Sequence, residues 1–304
     1  MFHRLNFRAM GCDMLVILDQ EAGPAPEALT RAPAWFEDWE QSLSRFRADS
    51  ELSCVNRTFD QPVPVSDAFW EVYQASVWAE RFTNGLVTPT VHDAMLEAGY
   101  DKSFDELPRY QRDASSTSVM LQPLSVVLAD DAAHTICLPR GVHLDFGGVA
   151  KGWAAHQAMK RLQAEGPVLV DAGGDISISG PHSDNSEWMI GVRNPFEKET
   201  DFEFLYVERG GVATSGRDRR RWLQGDRLRH HLIDPLTGQP AETDVLTATV
   251  VAPTVMEAEA AAKAALLMGA EDGLLWIESR PELAALVVLE NGQALYSKRM
   301  LEYL

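Results

Sequence analysis

The 304-residue sequence predicts an α+β protein in which antiparallel sheets are covered by helices. Short runs of β-branched and apolar residues recur along the chain, and segments with apolar residues at helical spacing lie between them. Strands and helices do not alternate strictly, which argues against a parallel sheet built from βαβ units. Because the sequence shows no internal repeat and no Pro/Ser-rich linker, we expect one domain over residues 1–304.

The first hundred residues are predicted to hold a strand and three helices. Residues 5–18 are rich in β-forming side chains around Gly11 and predict a strand. Apolar residues at helical spacing predict helices over 35–46 and 67–82, and a short helix is expected over 91–97.

The remainder is predicted to be mainly strands, with two long helices. One helix, over 149–162, follows a Gly-rich turn, and the other, over 256–268, is rich in alanine. The predicted strands lie at 125–129, 134–138, 142–146, 167–171, 176–178, 188–192, 202–207, 228–233, 246–251, 283–289 and 293–297.

The composition argues against a nucleic-acid partner and against a membrane-spanning segment. The 45 Asp and Glu residues outnumber the 27 Lys and Arg residues, and the formal net charge is -18. Because nucleic-acid affinity comes mainly from clustered Lys and Arg, we expect no nucleic-acid partner. No run of about 18 apolar residues occurs, so no membrane segment is expected in this chain.

The N-terminal segment bears on the cellular location of the protein. Its first 19 residues contain neither an apolar signal-peptide core nor a lipobox cysteine. We therefore expect a cytoplasmic protein, whereas a chain trimmed of its leader would be an exported one.

The segment from Asp145 to Gly152 reads Asp-Phe-Gly-Gly-Val-Ala-Lys-Gly and is predicted where a strand ends and a helix begins. A helix N-terminus offers backbone N–H groups, glycines allow a ligand to approach the main chain, and Lys151 adds a charge. These features suit a phosphate group. The segment is neither a Walker A loop nor a GxGxxG fingerprint, so by itself it also fits a structural helix start.

Three further motifs carry polar groups. Asp171–Asp175 combines a strand end with paired glycines, and Thr214–Gly216 precedes a basic run. The pair His230-His231 could supply a general base or a metal ligand, since imidazole titrates near neutral pH. Taken alone, the glycine turn and the histidine pair are more typical of a structural role.

Together these motifs resemble the FAD:protein FMN transferase family, also described as ApbE-type thiamine-biosynthesis lipoproteins. The matching elements keep the family order over nearly the whole chain. They are Met10-Gly11, Leu43–Arg47, Asp49–Leu52 with Asn56, Pro89–Val91, Asp145–Gly152, Asp171–Asp175, Thr214–Gly216, His231–Pro235 and Ala258–Gly269.

The resemblance implies an ApbE-like fold and a reaction. Members of the family bind FAD, cleave its pyrophosphate with the help of Mg²⁺, and transfer FMN to a Thr or Ser of a target flavoprotein, releasing AMP. By this resemblance His231 takes the proton of the incoming hydroxyl. The residues that the resemblance assigns to the FAD site are Met10, Phe46, Leu86, Val87, Thr88, Asp145, Lys151 and Ile233.

The sequence departs from the family at the metal site. There the last helix carries an Asp and, four residues later, a Thr, which bind the ion together with the main-chain oxygen at the position of Gly148. In this chain Glu259 and Lys263 occupy the two helix positions. A carboxylate of Glu259 suits a hard cation, but a protonated lysine cannot ligate it.

Two interpretations of Lys263 are therefore open. In the first, Lys263 takes the place of the ion and pairs with Glu259. In the second, Lys263 faces solvent as part of an ordinary i,i+4 pair and neighbouring groups hold the metal. The first makes an FAD-binding protein with weak or no transferase activity the alternative to the transferase, and an FAD pyrophosphatase is a third possibility. Milder departures are Thr88, in place of an acidic residue, and His156, in place of an Asp.

Overall fold

The computed structural model describes residues 2–20, 23–111, 119–197 and 199–304. Residue contacts divide the chain into two compact units. The first comprises residues 1–36, 151–218 and 242–304, and the second comprises residues 37–150 and 219–241. The prediction of one domain over 1–304 stays a prediction.

The secondary structure mixes short helices with many strands. The helices are α1 Glu27–Thr30, α2 Ala32–Leu43, α3 Glu51–Val55, α4 Asp67–Phe82, α5 His92–Glu97, α6 Ala150–Leu162, α7 Val255–Met268 and α8 Ala270–Glu278. The strands are β1 Phe2–Ala9, β2 Cys12–Asp19, β3 Val63–Pro64, β4 Tyr110–Gln111, β5 Leu128–Asp130, β6 Thr135–Cys137, β7 Val168–Ala172, β8 Asp175–Ile178, β9 Trp188–Arg193, β10 Asp201–Val207, β11 Gly210–Gly216, β12 Arg221–Gln224, β13 Arg227–His230, β14 Ile233–Asp234, β15 Gln239–Pro240, β16 Val245–Ala252, β17 Ala284–Leu289 and β18 Ala294–Tyr296. 3-10 helices lie at Pro89–Val91, Phe104–Glu106, Leu124–Val126 and Lys298–Tyr303.

The first unit is built on an eight-stranded sheet with the order β1-β2-β7-β8-β11-β16-β17-β18. Every pair of neighbouring strands in this order is antiparallel. Helix α7 packs on β11 and β16, and α8 packs on α7 and β17. The predicted α+β class, with antiparallel strands covered by helices, is confirmed.

The strand predicted over residues 5–18 is a hairpin of two strands, β1 and β2. Ala9 pairs with Cys12, and the two residues between them, Met10 and Gly11, have φ angles of 51° and 66°. Both therefore lie in the left-handed region that a type I′ turn requires. Glycine adopts this conformation without strain, whereas a non-glycine residue rarely does, so Met10 gave no turn signal in the sequence.

Three predicted strands are wrong in whole or in part. In the range predicted as 125–129, a 3-10 helix covers Leu124–Val126 and strand β5 begins only at Leu128. Residues 142–146 form no strand, because their backbone groups find other partners. The N–H of Leu144 donates to Oδ1 of Asn56 over 2.8 Å, and the N–H of Asp145 donates to the carbonyl of Pro89 over 2.7 Å. The strand predicted over 228–233 is divided into β13 and β14, which are separated at His231 and Leu232.

The second unit combines helices α3, α4 and α5 with short strands. Strand β12 pairs antiparallel with β13 and parallel with β4, so this small sheet is mixed. Its core includes Trp222, whose indole N–H donates to the carbonyl of Ala98 over 2.9 Å. This bond satisfies the one polar group of a buried side chain.

Helices α4, α5, α6 and α7 were predicted to within one residue at each end, whereas α2 begins and ends three residues before its predicted range of 35–46. Helix α4 has the predicted bounds, and the side chain of Ser66 caps it by accepting from the N–H of Phe69. Helix α7 begins one residue before its predicted start, with Thr254 as its cap. Helix α8 was not predicted. Among the residues that the structure describes, no helix is long and apolar enough to cross a membrane.

Candidate active site

Four charged side chains meet in the interior of the first unit: Lys151, Asp175, Glu259 and Lys263. We call them the four-charge cluster. The ammonium of Lys151 donates to the carboxylate of Asp175 and lies 3.4 Å from Oε1 of Glu259. The same Oε1 accepts from the Nζ of Lys263 over 3.0 Å. Two buried carboxylates are thus balanced by two ammonium groups, which is how a protein interior tolerates charge.

Local structure sets the positions of these four groups. Lys151 lies in the first turn of α6, and Asp175 begins β8 directly after the Gly173-Gly174 turn. Glu259 and Lys263 are four residues apart on α7 and therefore share one face of the helix. The motif Asp171–Asp175, which alone indicated only a turn, thus supplies the main partner of Lys151.

Gly152 brings the start of α6 close to α7. Its N–H donates to Oε2 of Glu259 over 3.0 Å, and a Cβ at this position would lie 2.5 Å from that oxygen. A larger residue would therefore displace the Glu259 carboxylate. Phosphate binding at this helix start stays a prediction, and in this structure the Gly152 N–H is already bonded to Glu259.

The protonation of the cluster follows from its partners. Burial by itself lowers the pKa of Lys151, but the carboxylates of Asp175 and Glu259 outweigh it and the net shift is upward. The pKa of Glu259 is raised by burial and by repulsion from Asp175, against the attraction of Lys263 and Lys151. Lys151 therefore stays charged in the folded protein.

Glu259 and Lys263 do not fit a magnesium ion. Mg²⁺ requires an octahedral shell of oxygen ligands at about 2.1 Å. Lys263 offers no oxygen, and both oxygens of Glu259 already accept from Lys263 and from the Gly152 N–H. An ion would have to displace an ammonium group from a carboxylate that is 1% exposed. Lys263 pairs with Glu259, as both interpretations hold, and its side chain is only 15% exposed, which favours the interpretation in which Lys263 takes the place of the ion. That interpretation stays a prediction.

A second buried ion pair, between Arg45 and Asp145, lies in the second unit. The Nε of Arg45 lies 2.6 Å from Oδ2 of Asp145, and neither side chain is more than 5% exposed. Oδ1 of Asp145 accepts from the N–H of Gly147 over 2.7 Å, so the same carboxylate holds the Gly-rich turn. Gly148, half-buried, follows in this turn.

Arg45 also contacts two aromatic residues of the second unit, Phe46 and Tyr100. Its guanidinium lies 4.2 Å from the ring centre of Phe46 and 4.6 Å from that of Tyr100. Phe46 is 42% exposed, so its ring is held in place while it remains accessible. Ile233 is buried in one apolar cluster with Tyr100. No role was assigned to Arg45 from the sequence, although it stands beside Phe46 in the matched Leu43–Arg47 element.

The predicted segment Leu86–Thr88 is fixed by Glu80 of α4 and by Thr83, the residue that caps the C-terminus of this helix. Leu86 is half-buried, and the N–H of Val87 donates to the hydroxyl of Thr83 over 3.0 Å. The hydroxyl of Thr88 donates to Oε2 of Glu80 over 2.6 Å. A carboxylate from α4 therefore lies beside Thr88, where the family has an acidic residue in the chain itself.

The two adjacent histidines have different environments. His230 is buried, its Nε2 lies 2.9 Å from the carbonyl of Ala241, and its Nδ1 accepts from the N–H of Leu232 over 3.3 Å. Both nitrogens of His230 are thus engaged with the main chain, which fixes its tautomer and gives it a structural role. His231 is half-buried between β13 and β14 and remains the candidate base.

The predicted site residues are divided between the two units. Met10, half-buried in the β1–β2 turn, and Lys151 lie in the first unit with Glu259 and Lys263. The other predicted residues lie in the second unit, where the structure connects Phe46, Asp145 and Ile233 through Arg45 and Tyr100.

Comparison with known proteins decides the family. The model of the ApbE family matches residues 10–287 of the chain. The chain belongs to the ApbE family. Curated relatives are similar over most of its length. The FAD:protein FMN transferase of Escherichia coli K12 is 29% identical over 268 residues, covering 84% of this chain and 72% of that protein. That of Treponema pallidum is 27% identical over 297 residues, covering 92% and 82%.

Solved ApbE structures share the fold. The ApbE protein of Thermotoga maritima superposes with a TM-score of 0.89 at 23% identity, covering 100% of this chain and 99% of that one. The flavin transferase ApbE of Vibrio cholerae gives a TM-score of 0.82 at 22% identity, with coverage of 100% and 99%. The ApbE-like fold that the motifs imply is confirmed.

Proposed function

We propose that this protein is an FAD:protein FMN transferase, which cleaves FAD and attaches FMN through a phosphoester to a Thr or Ser of a target flavoprotein. The observation that carries the proposal is the similarity to proteins of that name over 84% to 92% of this chain. FAD is one substrate, and the target flavoprotein is the other.

In the proposed reaction the acceptor hydroxyl oxygen forms a bond to the phosphorus of the FMN half of FAD. The bond from that phosphorus to the bridging oxygen breaks, and AMP leaves with the electron pair of that bond. His231 takes the proton of the hydroxyl, because a neutral imidazole can act as a general base. The structural role of His230 supports the choice of His231.

Lys151 would donate a hydrogen bond to an oxygen of the pyrophosphate. A lysine ammonium has three N–H donors. Lys151 directs donors at Asp175 and Glu259, and the remaining one suits a phosphate oxygen. Because Glu259 and Lys263 do not fit Mg²⁺, we assign no step to a metal ion.

The second unit would hold the flavin half of the substrate. Phe46 offers an exposed aromatic face whose position is fixed by Arg45, and an isoalloxazine ring stacks well on such a surface. Asp145 holds Arg45 and the Gly-rich turn together, so its role is to position these groups. Thr88 and its partner Glu80 add polar groups to the Leu86–Thr88 segment.

The names of the relatives favour transfer over the two alternatives, an FAD-binding protein without transferase activity and an FAD pyrophosphatase. One assay separates the three. The purified protein is incubated with FAD, with and without a Thr-bearing flavoprotein domain, and the small molecules are separated by chromatography. Transfer predicts AMP only when the acceptor is present. AMP without acceptor indicates a pyrophosphatase, and recovery of intact FAD in both reactions contradicts the proposal.

A further inference from the structure

A cluster of two histidines and one aspartate lies in the second unit, outside the residues assigned to FAD. His92 and Asp93 begin α5, and His143 lies in the extended segment that leads to the Gly-rich turn. The backbone brings the two segments together, because the N–H of Asp145 donates to the carbonyl of Pro89 over 2.7 Å. Residues far apart in sequence thus meet through main-chain geometry.

The ligand atoms of the three side chains converge. The Nδ1 of His143 lies 2.8 Å from Oδ1 and 2.9 Å from Oδ2 of Asp93, and the Nδ1 of His92 lies 3.1 Å from Oδ1. One ligand atom from each residue lies within 4.8 Å of the other two. Among the described residues, no other group of three His, Cys, Asp or Glu side chains has its ligand atoms this close together.

These separations suit a transition-metal ion. Metal bonds of about 2.1 Å in a tetrahedral shell place neighbouring ligand atoms about 3.4 Å apart. The observed carboxylate–imidazole distances are a few tenths of an ångström shorter, so a small rotation of the side chains would admit an ion in place of the imidazole protons. Two imidazoles and a carboxylate favour Zn²⁺ or a neighbouring first-row metal over Mg²⁺ or Ca²⁺.

The charge of Asp93 and the exposure of the three side chains also favour metal binding. Burial by itself raises the pKa of Asp93, but hydrogen bonds from His143 and His92 outweigh it and lower the pKa well below its usual range. The carboxylate is therefore an anionic ligand. The side chains are 14%, 34% and 27% exposed for His92, Asp93 and His143, so an ion from solvent can reach them and keep water as a further ligand.

We propose that His92, Asp93 and His143 form a binding site for a divalent first-row transition-metal ion, with Zn²⁺ as its representative. The bound ion would link α5 to His143, two residues before Asp145. The ring of Phe59 makes an edge contact with the imidazole of His143, with ring centres 5.3 Å apart. The site is independent of the proposed transfer reaction.

The test is a titration of chelator-treated, full-length protein with Zn²⁺ in competition with a chromophoric chelator. We expect one Zn²⁺ per chain at the site, with affinity lowered at least about tenfold in His143→Ala and in Asp93→Asn. His134→Ala is the matched control, because His134 also pairs with an aspartate, Asp67, over 3.3 Å. Among the residues that the structure describes, His134 belongs to no group of three such ligands. This control should bind Zn²⁺ like the wild type.

Co²⁺ provides a second, spectroscopic readout, which includes the wild-type protein itself. Bound to wild-type protein at this site, it should give visible absorption bands that the His134→Ala control retains and the Asp93→Asn variant loses. Zn²⁺ affinity that is equal in wild type and His143→Ala, or loss of binding in the His134→Ala control, would overturn the proposal.

Discussion

The Nζ of Lys263 lies 3.0 Å from Oε1 of Glu259, one helical turn earlier on α7. The pair is almost fully buried and is completed by Lys151, Asp175 and the N–H of Gly152. Four charges in a low-dielectric interior depend on each other, since each desolvated charge needs its partner. This dependence gives the first three predictions.

Replacing Lys263 by methionine should destabilise the protein by about 3 kcal/mol. The substitution leaves Glu259 buried with less positive charge, and removal of one partner of a buried pair costs about 3–5 kcal/mol. Because Lys151 remains, the lower end is expected. Urea unfolding measures the change. Lys160→Met, at an exposed position of α6, is the control and should stay within about 0.5 kcal/mol of wild type.

Restoring oxygen ligands on α7 should create cation binding. In the double variant Glu259→Asp with Lys263→Thr, an oxygen ligand replaces the ammonium that holds the carboxylate, so a hard cation is accepted. Electron paramagnetic resonance with Mn²⁺ as a probe should show affinity at least about tenfold higher than in wild type. The single variant Glu259→Asp keeps Lys263 and should show no gain. Tight Mn²⁺ binding at α7 in the wild type would contradict the assignment of Lys263.

Gly152→Ala should disturb the cluster through a steric effect. The added Cβ would lie 2.5 Å from Oε2 of Glu259 and 3.4 Å from the carbonyl of Val255. We expect a loss of about 1–3 kcal/mol in the free energy of unfolding. Gly180→Ala meets no atom within 4 Å, and it should remain within about 1 kcal/mol of wild type. Equal stability of the two variants would show that α6 and α7 are not in close contact at Gly152.

His156 should make stability fall in mild acid. Burial and the charge of Lys160 lower its pKa below the ordinary value of 6.5. Below that ordinary value the unfolded chain binds a proton that the folded chain does not, so stability falls as the pH drops toward the lower folded value. His156→Gln removes this contribution. Between about pH 7 and pH 5 the variant should lose less stability than wild type in urea unfolding. An equal or larger loss would exclude His156 as the cause.

The fold class and the family could be predicted from the sequence. Helical periodicity and short motifs depend on residues that are close together in the chain. Helix α4 and the pairing of Lys263 with Glu259 are examples. The β1–β2 turn was missed because Met10 adopts a conformation typical of glycine. The Arg45–Asp145 pair was missed because it joins residues one hundred positions apart, which no spacing rule can connect. The cytoplasmic location stays a prediction.

Intact-mass spectrometry of the acceptor is the most direct test of FMN transfer. A Thr-bearing flavoprotein domain is incubated with FAD and either wild-type protein or His231→Ala. The wild type should add the mass of FMN less one water to the acceptor, and His231→Ala should slow this addition by about 10²- to 10⁴-fold, the usual contribution of a general base. An acceptor that keeps its original mass in the presence of folded, FAD-bound wild-type protein would contradict the proposed function.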